Sequence, residues 1–317
     1  MPRAGWHHIP GAGAGRKGEG IMGSLRILGL GDNVCDKYVH RRTMYPGGQA
    51  LNVAVYAGML GAESGYLGVF GSDAVAEHVQ RTLAGHGVDT SRCRHYPGAN
   101  GCARVTLVDG DRVFLGSNKG GVLREHPLQL DGDDLSYIRS FHLCHTSNNS
   151  YTDGLLPQLR QTGVPVSYDF SGQWRDWDRA ARVAPYVDYA FLSCGAASQQ
   201  EAEDICRRIR ELGAGMVIAT RGGAGAVLWT GERSYVQPPE WVEPVDTLGA
   251  GDSFAAAFLL SYRTDGLAGR TDTPEGREEA IRRALRSAAA FSARTCLTYG
   301  AFGEGAAYDP AEDGDAP

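Results

Sequence analysis

The chain has 317 residues, 42% hydrophobic and 21% charged, the balance of an ordinary globular protein long enough for one large α/β domain or two small ones. A net charge of −6 argues against nucleic acid as the main partner, because phosphate binding calls for a basic face. No apolar run approaches the length that crosses a bilayer, so no membrane partner is expected, and the seven scattered cysteines form no CxxC pair, which favours free thiols in a reducing cytoplasm over zinc.

Residues 1–21, with Trp6, His7, His8 and the run Gly11-Ala12-Gly13-Ala14-Gly15, lack the apolar core of a secretion signal and read as a flexible N-terminal extension. A single folded domain is expected over 22–317, with Met22 as its start. Leu25–Leu30 predicts a buried strand stopped by Gly31-Asp32, and Leu51, Val55 and Leu60 lie near helical spacing between Gly47-Gly48 and Gly61. Tyr66–Phe70 predicts a second strand, followed by a helix to about Leu83. Ala103–Val108 and Arg112–Leu115 flank Asp109-Gly110-Asp111, a hairpin signal.

From Phe141 onward, strands are expected near 141–145, 166–170, 190–193 and 216–220, and helices near 153–162, 200–212, 252–262 and 277–295. That alternation predicts an α/β fold whose mainly parallel sheet is covered on both faces by helices, with ligands outside the carboxyl ends of the strands. Two strand-like excursions, 37–46 and 99–121, break the rhythm and are expected to pair as a small β lid that excludes water. An exposed lid edge makes homodimerisation through it an expectation. The tail after Phe302, rich in Gly, Ala, Asp and Glu, has nothing to bury and is expected to be unstructured.

Asp246-Thr247-Leu248-Gly249-Ala250-Gly251-Asp252-Ser253-Phe254 places small residues, a helix start and one acid together. Bare amides at a helix N-terminus stabilise phosphate, and an acid beside them suits a proton acceptor for a hydroxyl undergoing phosphorylation. The plainer reading is a glycine turn with Asp252 as a capping or first-turn acid. Gly47-Gly48-Gln49-Ala50-Leu51-Asn52 starts another helix with two glycines and puts an amide on its first turn, suited to a pair of sugar hydroxyls.

Gly47-Gly48-x-x-x-Asn52 and Asp246-Thr247-x-Gly249-Ala250-Gly251-Asp252 together resemble the two hallmark motifs of the ribokinase-like (PfkB) sugar kinases, over about Leu25 to Phe302. The resemblance implies a ribokinase-like three-layer α/β/α fold, ATP with Mg²⁺ as donor, and transfer to a primary hydroxyl of a small sugar or sugar-amine. It makes Asp252 the catalytic base and Gly249, Ala250 and Gly251 the anion hole. Asp36, Gly48 and Asn52 become substrate ligands, and Thr220, Gly222, Gly223 and Gly225 the loop at the nucleotide phosphates. The backbone at Asp246 falls where many members bind a monovalent cation such as K⁺.

A narrower likeness, to members acting on the 6-hydroxyl of fructosamines such as fructoselysine, rests on Gly31-Asp32-Asn33-x-x-Asp36, Asn52-Val53-Ala54-Val55-Tyr56, Asp111-Arg112-Val113-Phe114, Asp169-Phe170-Ser171-x-x-Trp174 and Tyr299-x-Ala301-Phe302. Other acceptors (a nucleoside, a ketohexose, 2-keto-3-deoxygluconate) and a non-catalytic nucleotide-binding regulator remain alternatives. An oxidoreductase would need GxGxxG after the first strand, and Gly29-Leu30-Gly31-Asp32-Asn33-Val34 lacks the third glycine. Ser198-Gln199-Gln200-Glu201 stands where many members carry Asn-x-x-Glu, so Glu201 is either a water-mediated Mg²⁺ residue or a solvated helix acid. Tyr151, Trp174 and Arg221 are candidates for lining the cleft, and His142 and His145 read as structural.

Overall fold

Ile27 and Leu143 belong to one apolar core and Leu28, Leu30 and Cys144 to another, and all five are wholly buried. Strands that are apolar on both faces need cover on both, which fixes the layering before any helix is placed. The computed structural model describes residues 25–108 and 111–309, so the expectations for 1–21 and for Met22 lie outside the described residues.

The elements begin with Arg26–Gly31 (β1), Val34–Tyr38 (β2), Thr43–Gly47 (β3), Gln49–Met59 (α1), Glu63–Phe70 (β4), Ala74–Gly85 (α2), Arg94–His95 (β5), Cys102–Val108 (β6) and Asp111–Ser117 (β7). Next come Val122–Glu125 (α3), Gly132–Arg139 (α4), Leu143–Ser147 (β8), Leu156–Gln161 (α5), Val166–Asp169 (β9), Trp177–Val183 (α6), Tyr189–Ser193 (β10) and Gln199–Glu211 (α7). Met216–Thr220 (β11), Ala226–Trp229 (β12), Ser234–Gln237 (β13), Ala250–Leu267 (α8), Pro274–Thr295 (α9) and Ala306–Ala307 (β14) complete the order.

The larger sheet runs β13-β12-β11-β10-β9-β8-β1-β4-β5, parallel from β11 to β5 with β12 and β13 antiparallel at one edge. Helices α1, α2, α8 and α9 enclose one core, and α3 to α7 the other, giving the expected α/β/α layers. The chain extends the sheet from β1 to β4 on one side and returns to β8 on the other. The gap beyond the carboxyl ends of β1 and β8 is therefore the topological switch point, where this class of sheet holds ligands.

The two excursions pair in a second sheet of order β14-β3-β2-β6-β7. Residue pairs such as Cys35 with Cys102 run parallel between β2 and β6, while the hairpin of β6 and β7 is antiparallel. Its expected turn at Asp109-Gly110 lies outside the described residues.

Two expectations are corrected. Over 303–309 the tail is ordered against the small sheet: Ala306 pairs with Met44, the Tyr308 amide donates to the Arg42 carbonyl, and His78 Nε2 lies 2.8 Å from the Glu304 carbonyl. Edge strand β3 offers unpaired backbone groups, and pairing with them needs no apolar side chains, so composition understated this segment. Residues 310–317 lie outside the described residues. The helix expected over 153–162 is a 3-10 turn at Asp153–Leu155 followed by the short α5, whose first turn carries Pro157.

Candidate active site

The carboxyl end of β1 delivers Asp32, and its carboxylate organises the start of α1. Oδ2 accepts from the Gln49 amide at 2.8 Å, while Oδ1 accepts from the Ala50 amide and the hydroxyls of Ser147 and Ser150. A helix start has bare amide donors, and here an acid from a neighbouring strand caps two of them. Gly48 precedes the helix at φ +111°, and a Cβ on it would lie 2.8 Å from the Asn33 Cα. Glycine thus lets α1 press onto the end of β1, which sets Asn52, one turn along, at the switch point.

The second helix start is built by the loop before α8. The Asp246 carboxylate accepts from the Tyr38 hydroxyl at 2.5 Å, the Leu248 amide at 3.0 Å and the Gly300 amide at 2.9 Å. Gly249 follows in the left-handed region at φ +73°, and a Cβ there would stand 2.5 Å from the Tyr56 hydroxyl. Helix α8 opens at Ala250, two residues before the expected start, so Asp252 is the third residue of its first turn. The Ala250 amide donates to the Thr247 carbonyl at 3.3 Å, whereas the Gly251 and Asp252 amides have no hydrogen bond among the described residues. Open space lies where a Cβ on Gly251 would stand.

Asp252 is 8% exposed, and its Oδ2 accepts from Asn52 Nδ2 at 2.6 Å. Burial pushes its carboxyl up to about 8, and the nearby Asp169 carboxylate adds to the rise while the Asn52 hydrogen bond opposes it. Asp169, at the end of β9, is itself raised by burial to about 6. An acid tuned to the neutral range beside bare helix amides can take a proton while those amides stabilise a developing negative charge.

Two clefts meet at this helix start. The larger, about 820 Å³, is lined by Asp36, Gly48, Asn52 and Asp252 among others. The smaller, about 450 Å³, is lined by Thr220, Gly222, Gly223, Gly225, Ala250 and Gly251 among others. Gly223, like Gly251, faces open space where a Cβ would sit, so both leave main chain uncovered toward an incoming phosphate chain. The structure thus gathers the expected substrate residues on one side of α8 and the expected nucleotide residues on the other.

Four expected residues fall elsewhere. Glu201 lines neither cleft; it closes a capping box on α7, its Oε2 accepting from the Ser198 amide at 2.8 Å, and that contact holds its carboxyl below the usual range. Asp246 lines neither cleft, and both its oxygens serve the loop. Trp174 is buried with its indole donating to the Ser193 carbonyl, and Arg221 bonds the carbonyls of Ala197 and Ala224, so neither lines a cleft. Tyr151 does line the larger one, and its hydroxyl donates to the Lys119 carbonyl. His145 is fully buried and held neutral, its Nδ1 against the Ser167 hydroxyl, while His142 Nδ1 accepts from the Arg26 amide.

Asn148, Asn149 and Arg179 in the larger cleft, and the exposed Trp241 at the smaller, were not singled out from sequence. A polar pair just past an apolar strand was the available signal for the asparagines. Among the described residues no three His, Cys, Asp or Glu side chains cluster as a metal site, and all seven cysteines are free.

A family profile described as pfkB family carbohydrate kinase matches residues 25–302. Fructosamine kinase FrlD of Bacillus subtilis (strain 168) is 44% identical over 285 residues, covering 90% of this chain and 95% of that protein. Fructoselysine 6-kinase of Escherichia coli (strain K12) is 34% identical over 236 residues, covering 74% of this chain and 87% of that one. Among solved structures, fructokinase with bound ATP from Xylella fastidiosa superposes with a TM-score of 0.70 at 20% identity, covering 87% of this chain and 94% of the other.

Proposed function

The chain belongs to the pfkB family of carbohydrate kinases and is an ATP-dependent sugar kinase, and we propose that its acceptor is a fructosamine such as fructoselysine, phosphorylated on the 6-hydroxyl. The observation that carries this reading is the position of Asp252, where the two clefts meet at the head of α8. The two relatives described above, whose names are those of a fructosamine and a fructoselysine kinase, supply the acceptor class.

In this reading the ketose lies in the larger cleft with Asp36, Gly48 and Asn52 at its hydroxyls, and ATP lies in the smaller with its phosphates over Gly222, Gly223 and Gly225. Asp252 takes the proton of the 6-hydroxyl as that oxygen bonds to the γ-phosphorus and the bond to the β,γ-bridging oxygen breaks, which releases ADP. The amides of Gly251 and Asp252 donate to the transferring phosphoryl group. When bound with the nucleotide, Mg²⁺ would supply neutralisation of charge on the phosphates. Glu201 keeps Oε1 outside its capping bond and is proposed to hold water of that ion. A monovalent cation such as K⁺ is proposed to rest on backbone carbonyls near Asp246, since the carboxylate itself is engaged.

The small sheet serves as the lid. Its edge strand β7 exposes Phe114 and Leu115, and a homodimer through that edge, in the cytoplasm, is proposed. Sedimentation showing only monomer at working concentrations would count against the dimer. The acceptor is tested by ATP consumption over fructosamines, free hexoses, 2-keto-3-deoxygluconate and nucleosides. Highest kcat/KM on a fructosamine is expected. Preference for a nucleoside would overturn the acceptor, and no consumption with any compound would return the chain to the regulator reading.

A further inference from the structure

Three primary amides form a row along the larger cleft. Gln49 opens α1, Asn148 and Asn149 follow β8, and all three line the cavity. Asn149 Nδ2 donates to Gln49 Oε1 at 2.9 Å, and Asn148 Nδ2 donates to Asn149 Oδ1 at 3.2 Å. A primary amide donates from one side and accepts on the other, so the direction of one member sets the direction of all. The Gln49 end is fixed by chemistry: its Oε1 is already taken by Asn149, which leaves its NH2 on the side of Asp169, a carboxyl that Gln49 helps to lower against the rise caused by burial. An ionised carboxylate only accepts, and the row therefore runs with its donors toward Asp169.

The opposite end is Asn148 Oδ1. Asn148 is 7% exposed, and that oxygen is buried with no partner among the described residues. A buried acceptor is rarely left unmade, and turning the amide over would set its oxygen against that of Asn149. The surroundings select the kind of donor that completes it. Asp32, Asp36, Asp153 and Asp252 outnumber the two cations, Lys119 and Arg179, that line the same cleft, and the Arg179 guanidinium is taken up by Asp153 at 2.7 Å, the Tyr168 hydroxyl and the Asn148 carbonyl. Acidic walls and an unmet carbonyl favour a cationic donor.

We infer that Asn148 is a specificity-determining residue whose side-chain oxygen accepts a hydrogen bond from the secondary ammonium joining the ketose to the rest of the acceptor. This rests on the fructosamine reading and adds to it the group that tells a ketosamine from a plain ketose. Gln49 and Asn149 are positioning residues, holding the amide of Asn148 in the orientation that presents oxygen.

The test compares 1-deoxy-1-butylamino-fructose with the 1-O-butyl ether of fructose, which has the same shape without a donor. In steady-state assays with ATP, the wild type is expected to favour the amine by about 10- to 100-fold in kcat/KM, the range of a hydrogen bond to a charged group. Asn148→Leu should bring the ratio near unity, mainly through KM for the amine. Asn148→Asp keeps an acceptor but turns a second oxygen toward Asn149 Oδ1, so it is combined with Asn149→Leu, and this double variant should retain the preference. An unaltered ratio in Asn148→Leu, or a preference lost in a double variant that melts like wild type, overturns the inference while the acceptor reading stands. Wild-type turnover of neither compound overturns the acceptor reading and this inference with it.

Discussion

Asn52 Nδ2 donates to Asp252 Oδ2 at 2.6 Å, a contact that joins residues 200 positions apart and ties the first turn of α1 to the first turn of α8. The bond opposes the rise in the Asp252 pKa that burial and Asp169 cause, so Asn52 tunes the base as well as facing the acceptor. Its Oδ1 is buried with no partner among the described residues and is suited to receive a substrate hydroxyl.

Asp252→Asn is expected to bind ATP and to lose roughly 10²–10⁴-fold or more in turnover, the share assigned to positioned proton transfer. Near-normal turnover would remove Asp252 as base. The same variant has a stability signature. A carboxyl raised from 3.8 to about 8 in the folded state contributes stability that is fully present below 3.8 and lost as pH rises through 8. Asp252→Asn should therefore be more stable than wild type near pH 8, by up to ~5 kcal/mol, and level with it near pH 4. Equal melting at both pH values would show that burial does not strain this carboxylate.

The pH dependence of kcat/KM follows from the same group. Activity should climb with pH along a limb centred near 8, where Asp252 loses its proton. Asp169→Asn removes a negative neighbour and should move the limb down, whereas Asn52→Leu removes a stabilising donor and should move it up. A limb that ignores both substitutions would mean that another group titrates.

Much of this site was legible in the sequence, for a physical reason. Gly48, Asn52, Gly249, Gly251 and Asp252 are small or polar residues at helix starts, where local backbone demands and chemistry coincide in one short segment. The layers were legible because strands buried on both faces read as apolar runs. Asp169 and Asn148 were not recognised as members of the site, since what makes them matter is proximity across the sheet, and a single acid or amide after a strand is common. Ser198 and Glu201 also have the spacing of a capping box, and the structure forms that box.

Gly251→Ala separates folding from function. Gly251 is a helical residue without a positive φ, and nothing stands where its Cβ would go. Alanine there should stabilise the protein by about 0.5–1 kcal/mol while placing a methyl over the bare amides of the first turn. We expect a higher melting temperature together with an ATP KM raised by at least ~10-fold, the cost of losing roughly one phosphate hydrogen bond. An unchanged KM would show that the phosphates do not pass over Gly251.

Tyr38→Phe probes the contact between the small sheet and the catalytic loop. Removing the hydroxyl takes one donor from a buried carboxylate at a cost of about 1–3 kcal/mol. The loop carrying Gly249 should loosen, and kcat should fall by a larger factor than either KM changes. A variant with lower stability and unaltered kcat would confine Tyr38 to a structural role.

The pairing of β14 with β3 has a consequence for the order of assembly during translation. The ribosome releases β2, β3, β6 and β7 while α8 and α9 are still unmade, yet the small sheet holds Ala306 and Ala307 at its edge. A nascent chain therefore carries β3 as an uncovered edge until residues 306–307 have emerged, and that edge can meet a neighbouring nascent chain on the same message before it meets β14.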